Sequence, residues 1–312
     1  MMKSRSILLA AAAAVALTGA AGAKDLNKIG ISLGSMGNPF FVALATGATN
    51  KAKEVNPNVE VTALGYDYDM NKQFTQIDNF IAAGVDLILL NPADPKAVAP
   101  AIARAQAAGI PVVAVDTAAE GADATVTTDN VQAGEIACQY IVDKLGGKGD
   151  VVIVNGPQVS SVIDRVVGCK KVFGANSGIK VLSDDQDAKG SRDGGLNVMQ
   201  SMLTRFEKID AVFAINDPTG IGASLASKQA NRTSLFITAV DGAPDIEAEL
   251  KDTSSLVLAS SSQDPYAMAQ LATQIGIDLL NGKKPAQQVT LMPSKLVTRD
   301  NIADYKGWTA TR

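Results

Sequence analysis

Histidine is absent from all 312 residues. That absence removes His-based triads, imidazole general bases and the commonest zinc ligand together. Aromatic residues make up only 4 % of the chain, with a single tryptophan, so each ring carries more weight than usual. Cysteine is limited to Cys138 and Cys169, too few and too far apart for a metal motif. No metal and no cofactor is expected. In an oxidising compartment the two cysteines could pair. Both fall on expected helices, and two small buried thiols remain the other reading, because sequence does not give their separation.

Long apolar runs are also missing after the N-terminus. Residues 1–23 read as a secretory signal, with Lys3 and Arg5 ahead of an apolar stretch over 7–17 and small residues at 21–23. The stretch is short for a membrane span, which needs ~20 residues. No cysteine follows the expected cleavage point, so no lipid anchor is suggested. Export is therefore expected. Positive charge is scarce as well: without Lys3 and Arg5, the 28 Lys and Arg fall to 26 against 32 Asp and Glu, a net charge of −6. Nucleic acid demands a basic surface, so a nucleic-acid partner is excluded.

What is present is a rhythm of apolar strands and helices. Short Val/Ile/Leu runs at 29–33, 59–64, 86–90 and 112–115 alternate with helical stretches at 39–55, 70–83 and 95–108. The second half repeats the pattern, with strands expected at 151–154, 180–183, 211–215, 235–240 and 256–259. Continuous apolar strands separated by helices imply α/β architecture with parallel sheets covered on both faces. The length suits two domains. An internal repeat suggests that they are built alike. Asn91 follows one strand and Asp116 ends the next, 25 residues on; Asn216 and Asp241 repeat that spacing of 25.

In open parallel sheets, ligands bind beyond the carboxyl ends of the strands. The strand-end polar residues are therefore the candidates. Gly37-Asn38-Pro39-Phe40-Phe41 follows the first strand; Asn38 suits an N-cap, Pro39 the first helical turn. Phe40 and Phe41 are either core residues or a stacking surface for the apolar face of a sugar ring. Asp116 and Asp241 can each grip vicinal hydroxyls, although an aspartate there is also a common helix cap. Asn216 and Gln263 carry amides that both donate and accept. Arg165 offers five donors, or is simply a surface residue.

At this point the chain resembles the ribose-binding type of periplasmic sugar-binding protein, the type I solute-binding component of an ABC transporter. The resemblance is carried, in order, by Gly37 to Phe41, by Asn91-Pro92-Ala93-Asp94, by 109–116 and by Thr128-Asp129-Asn130. It continues through Gly195-Leu196-Asn197-Val198-Met199, Ala214-Ile215-Asn216-Asp217, Val240-Asp241-Gly242 and Gln263-Asp264-Pro265. It implies a type I periplasmic-binding-protein fold: two similar lobes, three hinge crossings and a ligand cleft between the lobes. The implied division is a signal over 1–23, an N-terminal lobe over 24–127 plus 263–292, and a C-terminal lobe over 128–262 plus 293–312. Carried over residue by residue, Asn38, Phe40, Phe41, Asp116 and Thr117 belong to one wall. Pro157, Arg165, Asn216 and Asp241 face them, with Thr128 and Gln263 at crossings.

The resemblance further implies a monomer that takes a monosaccharide or polyol and delivers it to an inner-membrane ABC permease. A chemotaxis receptor stays open as a second partner. Two positions depart from the family. It often has arginine after the strand-end aspartate, where this chain has Thr117. It also places a ring before the Gly-Leu-Asn-Val-Met helix, where this chain has Gly190. The expected ligand is therefore pentose-sized or a short polyol, unless Tyr66 or Tyr266 fills the gap. An enzyme is the competing class, but no acid/base pair, nucleophile elbow or phosphate loop is recognisable. A sensor of a small signalling molecule would share the fold and differ only in ligand.

Overall fold

The structure, a computed structural model, describes residues 25–308. The expected signal over 1–23 lies outside the described residues. The first elements are β1 (Lys28–Leu33), α1 (Pro39–Val55), β2 (Glu60–Gly65), α2 (Met70–Ala82), β3 (Leu87–Leu90), α3 (Ala99–Ala107), β4 (Val112–Val115) and β5 (Ala124–Thr128). Then come α4 (Asn130–Lys144), β6 (Gly149–Val154), α5 (Ser160–Gly174), β7 (Ile179–Ser183) and α6 (Arg192–Arg205). They are followed by β8 (Ala211–Ala214), α7 (Asp217–Gln229), β9 (Phe236–Asp241), α8 (Pro244–Lys251) and β10 (Val257–Ser262). The order ends with α9 (Pro265–Leu280), β11 (Val289–Met292) and β12 (Lys295–Thr298).

These strands form two sheets of the same plan. One has the order β11-β5-β4-β3-β1-β2 and the other β12-β10-β9-β8-β6-β7. All pairings are parallel except β12, which lies antiparallel on β10. Because strand side chains alternate with period 2, each strand feeds two cores. In the first sheet Leu87 and Leu89 join Ile29, Ile31 and Val113 on the side of α1 and α9, while Ile88 and Leu90 face α2 and α3. The second sheet repeats this, with Val152, Val154 and Val212 toward α6 and α7, and Val151, Ile153 and Phe213 toward α4 and α5. Burial on both faces explains why these strands read as unbroken apolar runs.

The chain passes between the sheets at 128–130, 262–265 and 292–295. Strand order reverses between β1 and β3 in one lobe and between β6 and β8 in the other. Those reversals open a crevice at the carboxyl ends, where loops on either side diverge. The two crevices face each other.

Cys138 and Cys169 are bonded, which settles the question the sequence left open; their Cα atoms are 5.2 Å apart. The bond ties α4 to α5. These helices touch through their backbones, since a Cβ on Gly134 would stand 2.0 Å from the Arg165 carbonyl oxygen. Three expectations shift. Helix α3 starts at Ala99 and not at 95, because Asp94 Oδ1 accepts hydrogen bonds from Lys96 N and Ala97 N and holds 94–98 as a turn. Strand β10 runs on to Ser262 rather than ending at 259, its serines satisfied as described below. Strands β5, β11 and β12 were not expected at all. Among the described residues no helix is long and apolar enough to cross a membrane, and no cluster of His, Cys, Asp or Glu is placed to hold a metal.

Candidate functional site

Both strand-end aspartates leave their strands in unusual backbone conformations. Asp116, just past β4, has φ 67°, and Asp241, ending β9, has φ 143°. Non-glycine residues with positive φ are uncommon and cluster at ligand sites, where surrounding structure over-determines them. The duplicated positions thus share a backbone irregularity as well as a residue type.

Asp116 is held by the first lobe. Its Oδ2 accepts from Asn91 Nδ2 at 2.9 Å and from Thr117 Oγ1 at 3.2 Å. Asn91 is fixed in turn, since its Oδ1 accepts from Tyr66 Oη at 3.1 Å and its carbonyl from Gln73 Nε2 at 2.8 Å. Asp241 is held by the second lobe and a crossing. Its Oδ1 accepts from Gln263 Nε2 at 2.7 Å and lies 3.4 Å from Arg165 Nη1, while Oδ2 accepts from Asp217 N at 3.3 Å. Arg165 also donates through Nε to Asn130 Oδ1 at 2.8 Å and through Nη1 to the Ile215 carbonyl at 2.9 Å. It is 4 % exposed and so not a surface arginine.

Burial raises the Asp241 carboxyl to about 6, against the opposing pull of Arg165 and Gln263. Burial likewise raises Asp116, and Arg165 and the hydroxyl of Thr117 work against it. Asp217 behind Asp241 is raised by burial and by Asp241 itself. Its two oxygens accept from Ser260 Oγ at 2.6 Å and Ala243 N at 2.7 Å. Three buried carboxylates and one guanidinium leave the site short of positive charge. Neutral hydroxyl donors suit such a site better than an anion.

The walls line a half-open cavity of about 60 Å³. Asn38, Phe40, Phe41, Asp116, Thr117, Pro157, Arg165, Asn216, Asp241 and Gln263 all line it. Asn38 caps α1, its Oδ1 accepting from Phe40 N at 2.9 Å. Phe40 and Phe41 meet edge to face at 5.4 Å; they serve both readings, belonging to the core and to the cavity wall. Asn216 caps α7 through Thr219 N and donates Nδ2 to the Gly190 carbonyl at 2.9 Å. Thr128 does not line the cavity. Its hydroxyl donates to Gln263 Oε1 at 2.7 Å and so orients that amide from behind.

The sequence reasoning missed several wall residues: Asn91, Tyr68, Ser161 and Ile215 among them. Asn91 had a signal, because the repeat already matched it to Asn216. Tyr66 takes its expected place beside the cavity, whereas Tyr266 points elsewhere, its hydroxyl bonded to Asn50 Nδ2. Gly190 lies at the wall, so no ring enters from that position. Beyond it a wider compartment of about 410 Å³ shares Asn38, Tyr68, Gly190 and Asp241 with the inner cavity. The lobes already touch across the cleft, where Ala118 N donates to Ser160 Oγ at 2.9 Å.

Fold and cleft together define a two-lobed α/β binding protein of the type I periplasmic class. Residues 29–284 match the periplasmic binding protein domain, and the chain belongs to that family. The ribose import binding protein of Bacillus subtilis is 35 % identical over 274 residues, covering 87 % of each chain. A xylitol-binding protein of Mycolicibacterium smegmatis is 33 % identical, over 89 % of this chain and 79 % of that protein. An ABC transporter solute binding protein from Mycobacterium smegmatis, solved with bound glycerol, shares 28 % identity and a TM-score of 0.83, covering 91 % of this chain and 99 % of that one. The family and these relatives are binding proteins, and the Bacillus subtilis and Mycobacterium smegmatis proteins are named as components of ribose import and of an ABC transporter.

Proposed function

We propose that the protein captures a pentose-sized monosaccharide or small polyol in the periplasm and delivers it to an inner-membrane ABC permease. One observation carries the reading: Asp116 and Asp241, from matched positions in separate lobes, line one cavity between the lobes with Arg165 and the Phe40–Phe41 wall. Asp116 and Asp241 offer charged acceptors there, and a polyol supplies the donors. The missing ring at Gly190 favours a pentose or linear polyol over a hexopyranose held between two aromatic faces.

Closure does the selecting. The two halves of the hydrogen-bond set lie in different lobes, so only a ligand that reaches both stabilises the closed state. A ligand lacking one hydroxyl leaves a buried group unpaired, at ~1–3 kcal/mol. On this reading the protein performs no reaction, the signal at 1–23 exports it, and it works as a monomer. Relatives that bind ribose, xylitol and glycerol support the ligand class. Thermal-shift and calorimetric titrations with D-ribose, xylitol, allitol and D-glucose test it. A pentose or linear polyol should bind tightly and be recovered unchanged; a clear preference for glucose would reject the pentose-sized reading.

A further inference from the structure

The chain does not stay with the second sheet after β12. It turns through 299–304 and then crosses behind the site toward the first lobe. Tyr305 remains on the second lobe, its hydroxyl donating to the Gly242 carbonyl at 2.8 Å. Three residues later Trp308 is buried, 8 % exposed, in a cluster of first-lobe core residues that also takes in Ala243 of the second lobe, with its ring 5.7 Å from that of Phe40. Its Nε1 donates to the Gln263 carbonyl at 3.0 Å. Each anchor meets the cavity from behind. Phe40 and Gln263 are wall residues, and Gly242 directly follows Asp241. Gly242 also has no room for a side chain, since a Cβ there would stand 2.3 Å from Tyr305 Oη.

We propose that residues 305–308 form a fourth connection between the lobes, and that Trp308 is a positioning residue for ligand binding. The inference rests on the binding reading above but concerns a residue that does not line the cavity. The three hinge passages run along 128–130, 262–265 and 292–295, whereas this strap holds a wall ring of one lobe and a hinge carbonyl at the same time. Trp308 presses Phe40 toward the cavity from the core side. Its N–H fixes the backbone of Gln263, whose side chain carries Asp241. Loss of the indole frees both contacts while leaving every cavity-lining side chain in place.

The experiment compares Trp308→Ala and Trp308→Phe with the wild type, using D-ribose, xylitol and allitol as probes. Trp308→Ala should keep its far-UV circular dichroism yet bind the accepted probe about tenfold more weakly, the equivalent of one hydrogen bond and a packed ring, with faster dissociation. Trp308→Phe keeps a ring against Phe40 and should recover part of that loss. Trp308 is the single tryptophan, so its emission in the wild type should change when the accepted probe binds. In ligand-free protein, hydrogen exchange of the amides of 40, 41, 263, 264 and 266 should quicken in Trp308→Ala. Unchanged exchange at both segments overturns the proposal whichever sugar binds, as does unchanged affinity in Trp308→Ala. If no probe binds the wild type, the functional reading fails, and the exchange comparison still judges the strap.

Discussion

Arg165 and Asp241 form an ion pair with both side chains almost wholly buried, 5 % and 7 % exposed, and a separation of 3.4 Å. Asn130 Oδ1 and the Ile215 carbonyl also accept from Arg165, and Gln263 Nε2 and Asp217 N also donate to Asp241. Such a pair contributes little net stability, but removing one partner strands a buried charge at ~3–5 kcal/mol. Arg165→Met should therefore lower the unfolding free energy by ~3 kcal/mol in urea titrations. The double variant Arg165→Met with Asp241→Leu should lose less than the two single variants added together. An Arg165→Met protein as stable as the wild type would show that the pair is not buried in solution.

Asp116 invites a gentler substitution. Alanine there would leave Asn91 Nδ2 and the Thr117 hydroxyl without their acceptor, so a stability loss would blur the result. Asp116→Asn keeps the shape and tolerates the positive φ. It replaces one charged acceptor by an amide, which should weaken ligand binding about tenfold to a hundredfold, since hydrogen bonds to charged groups are worth ~1.5–3 kcal/mol. Calorimetry of the variant checks this, with circular dichroism confirming the fold. Wild-type affinity in Asp116→Asn would remove Asp116 from the binding set.

The raised carboxyls set a pH dependence of definite sign. Asp241 moves from 3.8 to about 6 on folding, so between those values the native protein holds more protons than the unfolded chain. Stability then falls as pH rises through that window and levels off above it. Asp116 and Asp217 shift in the same direction and add to the trend. Ligand hydroxyls donate to the ionised form and favour it. Binding near pH 6 should accordingly release protons, and affinity should rise with pH through that region. Titrations in buffers of different ionisation enthalpy measure the release directly. Proton uptake on binding would contradict the assignment of Asp241 as an acceptor.

Much of the site was legible because two independent periodicities coincide. Apolar strands mark their own carboxyl ends, and the Asn–Asp spacing in each half places Asn91 with Asp116 and Asn216 with Asp241. Local pattern fails where polar residues are buried with partners. Strand β5 reads as polar, yet all five of its residues are buried. Thr127 Oγ1 donates to the Asp116 carbonyl and Thr128 Oγ1 to Gln263. The serines of β10 are the same case, Ser260 bonding Asp217 and Ser261 the Ala133 carbonyl. Thr128 lies at the 128–130 passage, but which way its hydroxyl turns depends on Gln263, 135 residues away. Tyr68 carried no local signal. It reaches the cavity from the turn after β2, where Asp67 and Tyr68 both take positive φ.

The disulfide supplies a final test, because it joins the two helices that frame Arg165. Cys169 lies one helical turn after Arg165 on α5, and Cys138 lies on α4, whose first residue Asn130 receives the Arg165 Nε hydrogen bond. The sequence separation is 31 residues. Closing a loop of that length stabilises the fold by ~3–4 kcal/mol in the chain-entropy account. Reduction, or the Cys138→Ala and Cys169→Ala double variant, should lower Tm by roughly 6–16 °C, since about 1 kcal/mol moves Tm by ~2–4 °C in a large domain. Affinity should fall with it, because α4 and α5 no longer hold the guanidinium at one fixed spacing from Asp241. Calorimetry with and without reductant, at a temperature well below both melting points, separates the two effects. If affinity is untouched while Tm drops, the bond stabilises the lobe alone and the remaining contacts between α4 and α5 suffice to place Arg165.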